Sequence, residues 1–537
     1  MLEIKKHLHS VVSGAAERLG YQNLSFDITE PARPEFGDFA TNAALIGAKA
    51  AAMNPRAFAD SLVKELEGVG DSNIESISVA GPGFINFKLN RNWLHDEIRL
   101  ALEQGESSYG KVDVGKGAKL LLEFVSANPT GPLHLGNGWW ASYGDSLARL
   151  LRFVNYQVST EYYVNDTGGQ IRALGGSIVG IRNGEGAPEG GYSGSYVVDL
   201  ANSYTGSDDF TEAGRWAAEQ ILVFIKDSLS KLEIKFDNWY SQASIEESGL
   251  VAEVIAVMES AGVIDLIDGK KVFRATEFGD SRDRYLTKEN GDFTYLAGDI
   301  AYHYNKLVTR GFDYAIDIFG ADHQGQVPSL KGAMVALGVQ SDRLEILLGQ
   351  MVSLVRDDEV VKFSKRKGNV VDLGEVTDEI GPSAMRLLSL STSIDRATTV
   401  DLESVRSKSM DNPVYYIQYA HARMAAVERM RIERGVDDPS LDSVDLSLLE
   451  HPREIELLKV MARLDETIEF ASRERAPYKI VGWLKEFASA FHGFYHDCSI
   501  LGASSEVAAA RILLVRSCQV ALRVALGIVG VTAPEQM

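Results

Sequence analysis

Residues 120–140 read LLLEFVSANPTGPLHLGNGWW, and this stretch decides the fold. Its first eight residues form an apolar run with the length and flanks of a buried parallel strand. A turn rich in Pro and Gly follows, and the spacing predicts a helix from Gly138 to Phe153. This succession places free backbone N–H groups and the positive end of a helix dipole where a phosphate can bind.

Three residues of this stretch, His134, Gly136 and Asn137, are candidates for contact with a nucleotide. The imidazole of His134 can contact a phosphate oxygen, and Gly136 lets a flat base approach the backbone. Taken alone, the sequence His-Leu-Gly-Asn at 134–137 is weakly diagnostic, because a capped helix start with a satisfied histidine gives the same pattern.

A second candidate segment, KFSKRKGNVVDL at 362–373, gathers Lys362, Lys365 and two more basic residues in an acidic region. The simplest interpretation is a solvated basic turn. However, Gly368 follows at once, so the lysines are expected on a flexible loop suited to neutralising a transferring triphosphate. Both segments in this order within one α/β region are far less probable by chance than either alone.

The rest of the chain divides into three predicted domains. Residues 1–108 mix helical and strand-like runs around a Gly-Pro-Gly turn at 81–83, which predicts an α+β domain. Residues 109–384 alternate strands and helices, which predicts a multidomain α/β protein with a Rossmann-like catalytic sheet and an insertion around 176–236. Residues 385–537 lack strand signals and show long apolar-periodic segments, so an all-α helical bundle is expected.

Two details of this division are specific enough to test. Residues 180–210 are rich in Gly and polar side chains and are expected to be irregular. The strands of the catalytic sheet are predicted near residues 120–127, 158–163, 314–319 and 345–348.

Composition excludes several classes of protein. The chain has 537 residues, a formal charge of −21 and two cysteines, too few for a four-ligand zinc site or a secreted disulfide framework. No metal bound by the protein and a reducing cytoplasmic location are therefore expected. The first 20 residues predict an amphipathic helix and not a signal peptide. The apolar run from Ile512 is broken by Arg516 and Arg523, which favours a buried helix over a membrane span, so no membrane partner is expected.

The total charge would argue against a nucleic-acid partner, because Lys and Arg must neutralise phosphates. The acidity is uneven, however. The net charge is −5 over residues 1–108, −13 over 109–384 and −3 over 385–537. The total therefore does not decide against nucleic acid, and a local basic track on the helical segment is expected.

Longer blocks extend both candidate segments. His134–Asn137 resembles the HIGH signature and Lys362–Lys365 the KMSKS loop of class I aminoacyl-tRNA synthetases, and the chain as a whole resembles arginyl-tRNA synthetases. The resemblance runs nearly end to end, through PEFGDFATNAAL (34–45), GPGFINFKL (81–89), ANPTGPLHLGN (127–137), EYYVNDTGGQI (161–171), FDNWYSQ (236–242), GDSRDRYLTKENGDFTYLAGDIAYHYNK (279–306), FGADHQGQV (319–327) and NPVYYIQYAHAR (412–423).

The resemblance implies that arginine is activated with ATP, supplied with Mg²⁺, and transferred to the terminal adenosine of tRNA(Arg). It implies catalytic roles for His134, Asn137, Lys362 and Lys365. The implied ATP-binding residues are Pro129, Gly131, His134, Gly136, Asn137, Ser364 and Lys365.

The resemblance also implies carboxylates for the guanidinium of arginine, which keeps its proton and offers a planar fork of donors. The implied arginine-binding residues are Glu123, Ser126, Asn128, Tyr295, Asp299, Asp322, His323 and Gln326. From sequence alone, Asp299 is as well explained as a helix cap. Tyr302 and His303 are as well explained by packing as by a ligand role.

On the helical segment, Tyr415, Tyr419 and Arg423 recur every four residues, which suits base stacking and phosphate contact by an anticodon-binding helix. Core packing of the tyrosines is the alternative. The resemblance further implies a monomer. Two departures from the family pattern stand out: Asn137 replaces the last histidine of the signature, and Trp139-Trp140 follows, where we expect packing against the sheet.

Other functional classes remain to be weighed against this one. A synthetase for glutamine, glutamate or cysteine has no use for acidic groups in the amino-acid pocket, and the cysteine enzyme needs zinc ligands. A catalytically silent tRNA-binding protein would not need intact His134, Gly136 and Lys365. A small-molecule nucleotidyltransferase shares the phosphate motifs but has no use for a carboxyl-terminal bundle.

Overall fold

A computed structural model describes residues 1–350, 352–356, 359–361, 372–401 and 412–537. Along the chain, helices around an antiparallel sheet come first, a parallel sheet with flanking helices follows, and a helical bundle comes last. This order confirms the predicted fold class.

The amino-terminal segment packs four helices against a four-stranded antiparallel sheet. Its elements are α1 (Leu2–Arg18), β1 (Ile28–Thr29), β2 (Phe39–Thr41), α2 (Ala43–Ala51), α3 (Pro55–Val69), β3 (Ile74–Ala80), β4 (Phe84–Leu89) and α4 (Asn92–Gln104). The strand order is β1-β2-β4-β3. Helix α1 is amphipathic, as predicted, and buries Leu8 and Val12. Gly81 and Gly83, at φ 55° and 140°, make the turn between β3 and β4 in backbone conformations that favour glycine.

The central segment is built on a parallel sheet. Its elements are β5 (Lys119–Glu123), α5 (Leu135–Phe153), β6 (Gln157–Val164), α6 (Gly168–Arg182), α7 (Ser195–Ser203), α8 (Phe210–Lys231), β7 (Asn238–Ser241), α9 (Gln242–Glu247), α10 (Leu250–Ser260), β8 (Ile264–Ile267), β9 (Lys270–Phe273), β10 (Arg284–Tyr285), α11 (Tyr295–Tyr304), β11 (Tyr314–Gly320), α12 (Val327–Ala336) and β12 (Leu344–Gly349).

Five of these strands form the main sheet, in the order β12-β11-β5-β6-β7, and every pairing is parallel. The four predicted strands are confirmed as β5, β6, β11 and β12. Helix α5 begins at Leu135, three residues before the predicted start, because His134 caps it. Strands β8, β9 and β10 form a separate antiparallel sheet.

The prediction of an irregular segment over residues 180–210 is wrong at α7, which buries Val197, Leu200 and Ala201. Glycine misled the prediction, since glycines in and beside this segment serve packing, and a Cβ on Gly191 would lie 2.6 Å from the Ser177 hydroxyl oxygen of α6. A Cβ on Gly175 of α6 would lie 1.8 Å from the Phe210 carbonyl oxygen, and one on Gly214 of α8 would lie 2.0 Å from that of Ile171. The absence of a side chain lets α6 and α8 touch.

A small sheet and two helices follow the main sheet. They are β13 (Val352–Arg356), β14 (Glu359–Val361), α13 (Leu373–Ile380), α14 (Pro382–Ser389) and β15 (Thr398–Asp401). Strand β15 pairs in parallel with β13. The expectation that strands end before residue 385 is therefore wrong at β15. Four residues between polar turns are too short to give a periodic signal.

The carboxyl-terminal bundle consists of α15 (Pro413–Glu433), α16 (Pro452–Ala462), α17 (Leu464–Arg473), α18 (Tyr478–Asp497) and α19 (Ser505–Val529). Helix α19 alone among the described helices is long and apolar enough to span a membrane, yet 72% of its most apolar window is buried inside the protein. This burial confirms the prediction of a core helix at Ile512.

The end of α19 contacts the middle of α5. The Val529 carbonyl accepts hydrogen bonds from Ser146 of α5, at 3.2 Å, and from the buried Arg386 of α14, at 3.4 Å. Arg386 also pairs with Asp145 of α5 at 2.8 Å. The bundle is thereby joined to the helix that begins at His134.

Candidate active site

The candidate site is a cavity of about 730 Å³ at the carboxyl ends of β5, β6 and β11. Helix α11 and the short 3-10 turn Ala321–Gln326 complete its wall. In open parallel sheets this edge is where ligands bind, because loops and helix amino termini converge there.

Ten residues predicted from the sequence line this cavity. They are Glu123, Ser126, Asn128, His134, Asn137, Tyr295, Asp299, Asp322, His323 and Gln326. Pro129, Gly131 and Gly136 lie in the same turn and helix start, away from the lining. Lys362, Ser364 and Lys365 lie outside the described residues.

The turn after β5 is strained. Val125 and Ser126 have φ values of 69° and 37°, a region that β-branched residues such as valine rarely adopt. The Ser126 hydroxyl holds the turn, because it donates to Glu123 at 2.8 Å and accepts from the Tyr163 amide at 3.1 Å. Strain held in this way is typical of sites where the backbone must present groups to a ligand.

Helix α5 begins with a reciprocal cap. The Asn137 amide donates to His134 Nδ1 at 3.3 Å, and the His134 amide donates to Asn137 Oδ1 at 3.1 Å. Asn137, which replaces the family histidine, therefore fixes the orientation of His134. The capped helix start is compatible with the predicted nucleotide contact, since the capped His134 still lines the cavity.

The chain that follows the basic loop returns beside His134. Asp372 forms an isolated antiparallel bridge with His134, and the Leu373 amide donates to the Leu133 carbonyl at 2.9 Å. The described end of the second segment, Asp372 and Leu373, thus lies beside the start of α5.

Helix α11 brings Asp299 into the cavity. Its carboxylate forms no hydrogen bond or ion pair within the described part of the chain. Burial raises the pKa of Asp299 to about 6; His303 and His323 act against this rise, and Glu123 adds to it. A half-buried carboxylate without a partner is partly desolvated at a cost, and a cation in the cavity would relieve that cost.

Below Asp299, three carboxylates form a row across the sheet. Asp317, Glu123 and Glu161 occupy paired positions on the neighbouring strands β11, β5 and β6. They are buried, and the helix above supplies their partners. We call Asp317, Glu123 and Glu161 the acidic row.

Two cations neutralise the acidic row: Lys306, in the π-helical turn Asn305–Thr309 that follows α11, and Arg310, directly after that turn. Lys306 donates to Glu123 at 2.5 Å and to Asp317 at 2.8 Å. Arg310 donates two bonds to Glu161, of 2.9 and 2.6 Å. A π turn within a helix often marks a functional site, and here it carries Lys306.

His303 belongs to the same network. Its Nε2 lies 2.5 Å from Asp317 and its Nδ1 lies 2.7 Å from the Asp299 carbonyl. Both neighbours are acceptors, so both ring nitrogens are placed to donate, which is the arrangement that suits an imidazolium.

The acidic row shifts the ionisation of its members. Burial raises the pKa of Asp317, but Lys306 and His303 outweigh it and bring that pKa well below its ordinary value. Burial likewise lowers the pKa of Lys306, yet Asp317 and Glu123 raise it overall. Asp317 and Lys306 therefore stabilise each other in their charged forms.

Sequence reasoning missed Lys306, Asp317, Glu161 and Arg310 as parts of the site. Two signals were present. Asp317 is a lone charge in the apolar strand YAIDIFG, and Asp299, His303, Lys306 and Arg310 recur at helical spacing.

The two tryptophans pack differently. Trp139 is buried in the core, as expected. Trp140 lies against Gly320 and Gly349, at the ends of β11 and β12, and also lines the cavity. A Cβ on Gly349 would lie 2.6 Å from the Trp140 indole nitrogen, so glycine is required there.

On α15, the predicted tRNA-contacting residues share one half-buried face. Tyr415 and Tyr419 stack with ring centres 5.6 Å apart, and Arg423 lies 4.4 Å from the Tyr419 ring centre. Arg423 also donates to His492 at 3.1 Å. We call Tyr415, Tyr419 and Arg423 the bundle face.

Comparison with known proteins agrees with this geometry. Three family models match: "Arginyl tRNA synthetase N terminal domain" at residues 2–89, "tRNA synthetases class I (R), catalytic domain" at 191–424 and "DALR anticodon binding domain" at 417–537. The fold and the cavity thus define a class I aminoacyl-tRNA synthetase.

Relatives narrow this class. The arginine–tRNA ligase of Moorella thermoacetica is 40% identical over 97% of this chain and 96% of its own length. That of Caldanaerobacter subterraneus is 39% identical over 95% and 93%. The chain belongs to the arginyl-tRNA synthetase family. The Thermus thermophilus arginyl-tRNA synthetase, 18% identical, shares the fold with a TM-score of 0.78 over 99% of this chain and 100% of its own.

Proposed function

We propose that this arginyl-tRNA synthetase binds the guanidinium of arginine against Asp299. In the same cavity it joins arginine to ATP as an adenylate, releases pyrophosphate and then charges the terminal adenosine of tRNA(Arg). The observation that carries the proposal is that Asp299 is half-buried in the cavity wall without a partner among the described residues. A guanidinium supplies the permanent charge and planar donors that such a carboxylate needs.

The other predicted arginine contacts are proposed around this anchor. Glu123 adds negative charge from below, and Tyr295, which is 72% exposed, closes the mouth as a neutral partner. The α-amino and carboxylate groups are assigned to the opposite wall, formed by Ser126, Asn128, Asp322, His323 and Gln326.

ATP is assigned to the start of α5. Its phosphates lie against His134, its ribose near Asn137 and its adenine over Gly136, with Pro129 and Gly131 shaping the turn. The reciprocal cap of His134 and Asn137 supports this assignment, because it orients the imidazole before ATP arrives.

Lys362, Ser364 and Lys365 are proposed to neutralise the leaving pyrophosphate, with Mg²⁺ arriving bound to ATP. The bridge between Asp372 and His134 supports this role, since the loop must return beside the helix start. Among the described residues, no group of three or more His, Cys, Asp or Glu side chains is arranged to hold a metal ion.

The bundle face is proposed to stack anticodon bases on Tyr415 and Tyr419 and to place Arg423 near a phosphate. The domains are proposed as residues 1–108 for a further tRNA contact, 109–384 for catalysis and 385–537 for the anticodon. A cytoplasmic monomer without a membrane partner completes the proposal.

Aminoacylation of total tRNA with each amino acid in turn tests this function. We expect charging with arginine alone. Citrulline is the matched control, because it replaces the charged guanidinium by a neutral urea of nearly the same shape. Charging with another amino acid, or with citrulline at a comparable rate, would contradict the proposal.

A further inference from the structure

The charges beneath the arginine cavity have an uneven count. Asp299, Glu123 and Asp317 are three carboxylates, while their cationic partners are Lys306 and His303, whose two ring nitrogens both face acceptors. The remaining pair, Glu161 with Arg310, is balanced by itself at 2.6 Å. The group next to the cavity therefore lacks one cation.

Glu123 cannot fill the role of the open carboxylate, because both of its oxygens are engaged. One accepts from Lys306 at 2.5 Å and the other from Ser126 at 2.8 Å. Lys306 itself is completely buried, does not line the cavity and lies 4.2 Å from the Tyr302 ring centre. Its position is fixed by carboxylates on two strands and a ring on its own helix.

We propose that Lys306 and Asp317 are positioning and specificity residues for the amino-acid substrate. Lys306 neutralises Glu123, and Asp317 holds Lys306 and His303 in place. Asp299 then remains as the one carboxylate in the described network without a cationic partner, which the substrate supplies. This inference rests on the proposed arginine site. It goes further in assigning roles to two buried residues that do not touch the substrate. A cavity that is short of one positive charge favours a monocation over a neutral isostere.

Variants that remove either a negative or a positive charge from the network distinguish an effect of charge balance from an effect of packing. In D317N one negative charge is lost, while the Asn amide oxygen still accepts from His303, so the cavity no longer lacks a cation. We expect KM for arginine to rise about tenfold, the size expected for one unit charge near a buried ligand, with kcat and KM for ATP changed less than threefold.

The K306M/D317N double variant restores the charge count although it removes more hydrogen bonds. We expect its KM for arginine to return to within about threefold of the wild-type value. In K306M alone, KM for arginine should not rise, since negative charge is gained. A purely structural role predicts the reverse order, with the double variant worst.

E454Q is the matched control. It neutralises a fully buried carboxylate on α16 that pairs with Arg511 at 2.6 Å and does not line the cavity. KM for arginine should change less than threefold in E454Q, and thermal unfolding of each variant reports the loss of stability separately.

An unchanged KM for arginine in D317N, a double variant with a higher KM than D317N, or an equal rise of KM in E454Q would overturn the inference. Should D317N fail to fold, K306M decides, because a raised KM for arginine there contradicts it. Wild-type charging with arginine is measured in the same assay. If the wild type does not charge tRNA with arginine, the proposed function is wrong. If the wild type charges normally but KM for arginine does not follow the predicted order among the variants, only this inference is wrong.

Discussion

Two cation–ring pairs in this molecule have similar cation-to-ring distances but differ in the charged groups around them. Lys306 lies 4.2 Å from the Tyr302 ring centre beneath the cavity, and Arg423 lies 4.4 Å from the Tyr419 ring centre on the bundle face. Lys306 is buried between two carboxylates. Arg423 has no carboxylate partner among the described residues and donates to the neutral His492 instead.

The two cations therefore have different roles. Lys306 is paired with carboxylates of the protein, so it acts on a ligand only through the electrostatic potential in the cavity. Burial lowers the pKa of His492, whose Nε2 lies 3.1 Å from the Tyr416 carbonyl, so the Arg423 charge stays open to an anion. Selectivity for arginine should thus depend on few buried charges, and affinity for tRNA on a screened surface.

The largest expected effect is the dependence of arginine activation in the cavity on tRNA bound at the bundle. Without tRNA(Arg), we expect arginine-dependent ATP–pyrophosphate exchange to be at least ~10³-fold slower than with it, a change of about 4 kcal/mol. The contact of α19 with Ser146 and Arg386 offers a path from the bundle to α5. Exchange is measured with and without purified tRNA(Arg), with unrelated tRNA as control. Robust exchange in the absence of tRNA would show that the two regions work independently.

The next effect isolates the cavity. Asp299→Asn should lower kcat/KM for arginine by about 10²–10³-fold, because truncating one partner of a buried ion pair costs about 3–5 kcal/mol. KM for tRNA should stay within about twofold, since the bundle face is untouched. Steady-state charging with varied arginine and varied tRNA measures both constants.

Stability distinguishes this result from misfolding. The folded-state pKa of Asp299, raised to about 6, lies above its unfolded value, so ionisation costs stability once the pH rises through the folded-state pKa. Asp299→Asn should therefore raise the free energy of unfolding at pH 7.5 by about 1–3 kcal/mol while activity falls. A less stable variant would mean that Asp299 acts as a structural group, as the helix-cap interpretation holds.

The bundle face could be predicted from the sequence more completely than the network beneath the cavity. The buried strands, α5 and the repeat of Tyr415, Tyr419 and Arg423 were predictable, because local periodicity and short motifs carry them. The acidic row was not, because its members come from three strands and one helix that meet only through sheet register. Asp299 was ambiguous for the same reason: a helix cap and a half-buried open carboxylate look alike until the cavity is formed.

A lower pH should weaken arginine binding in the cavity and leave tRNA binding at the bundle face unchanged. As the pH falls from 7 to 5, through the pKa of about 6 for Asp299, protonation removes the open negative charge. KM for arginine should rise about tenfold over this range, in proportion to the lost carboxylate. The curve is measured for wild type and for Asp299→Asn, in which it should be flat. An equal rise in both would assign the titration to another group.

The smallest effect concerns the bundle face. Tyr419→Ala removes the ring between Tyr415 and Arg423 and should raise KM for tRNA about five- to tenfold, a loss of about 1–1.4 kcal/mol that is typical of one stacked base. KM for arginine should not change. Phe470→Ala is the matched control, because Phe470 of α17 is 51% exposed and also has a lysine, Lys479, over its ring.

Salt sharpens the same test. The Arg423→Gln variant should show a shallower fall in tRNA affinity with rising salt than wild type, since one phosphate contact is lost. Binding is followed by filter retention between 50 and 200 mM salt, with Tyr419→Ala expected to keep the wild-type slope. Equal slopes for wild type and Arg423→Gln would show that Arg423 only supports the Tyr419 ring. The open charge on the bundle face would then serve packing, as Lys306 serves the acidic row.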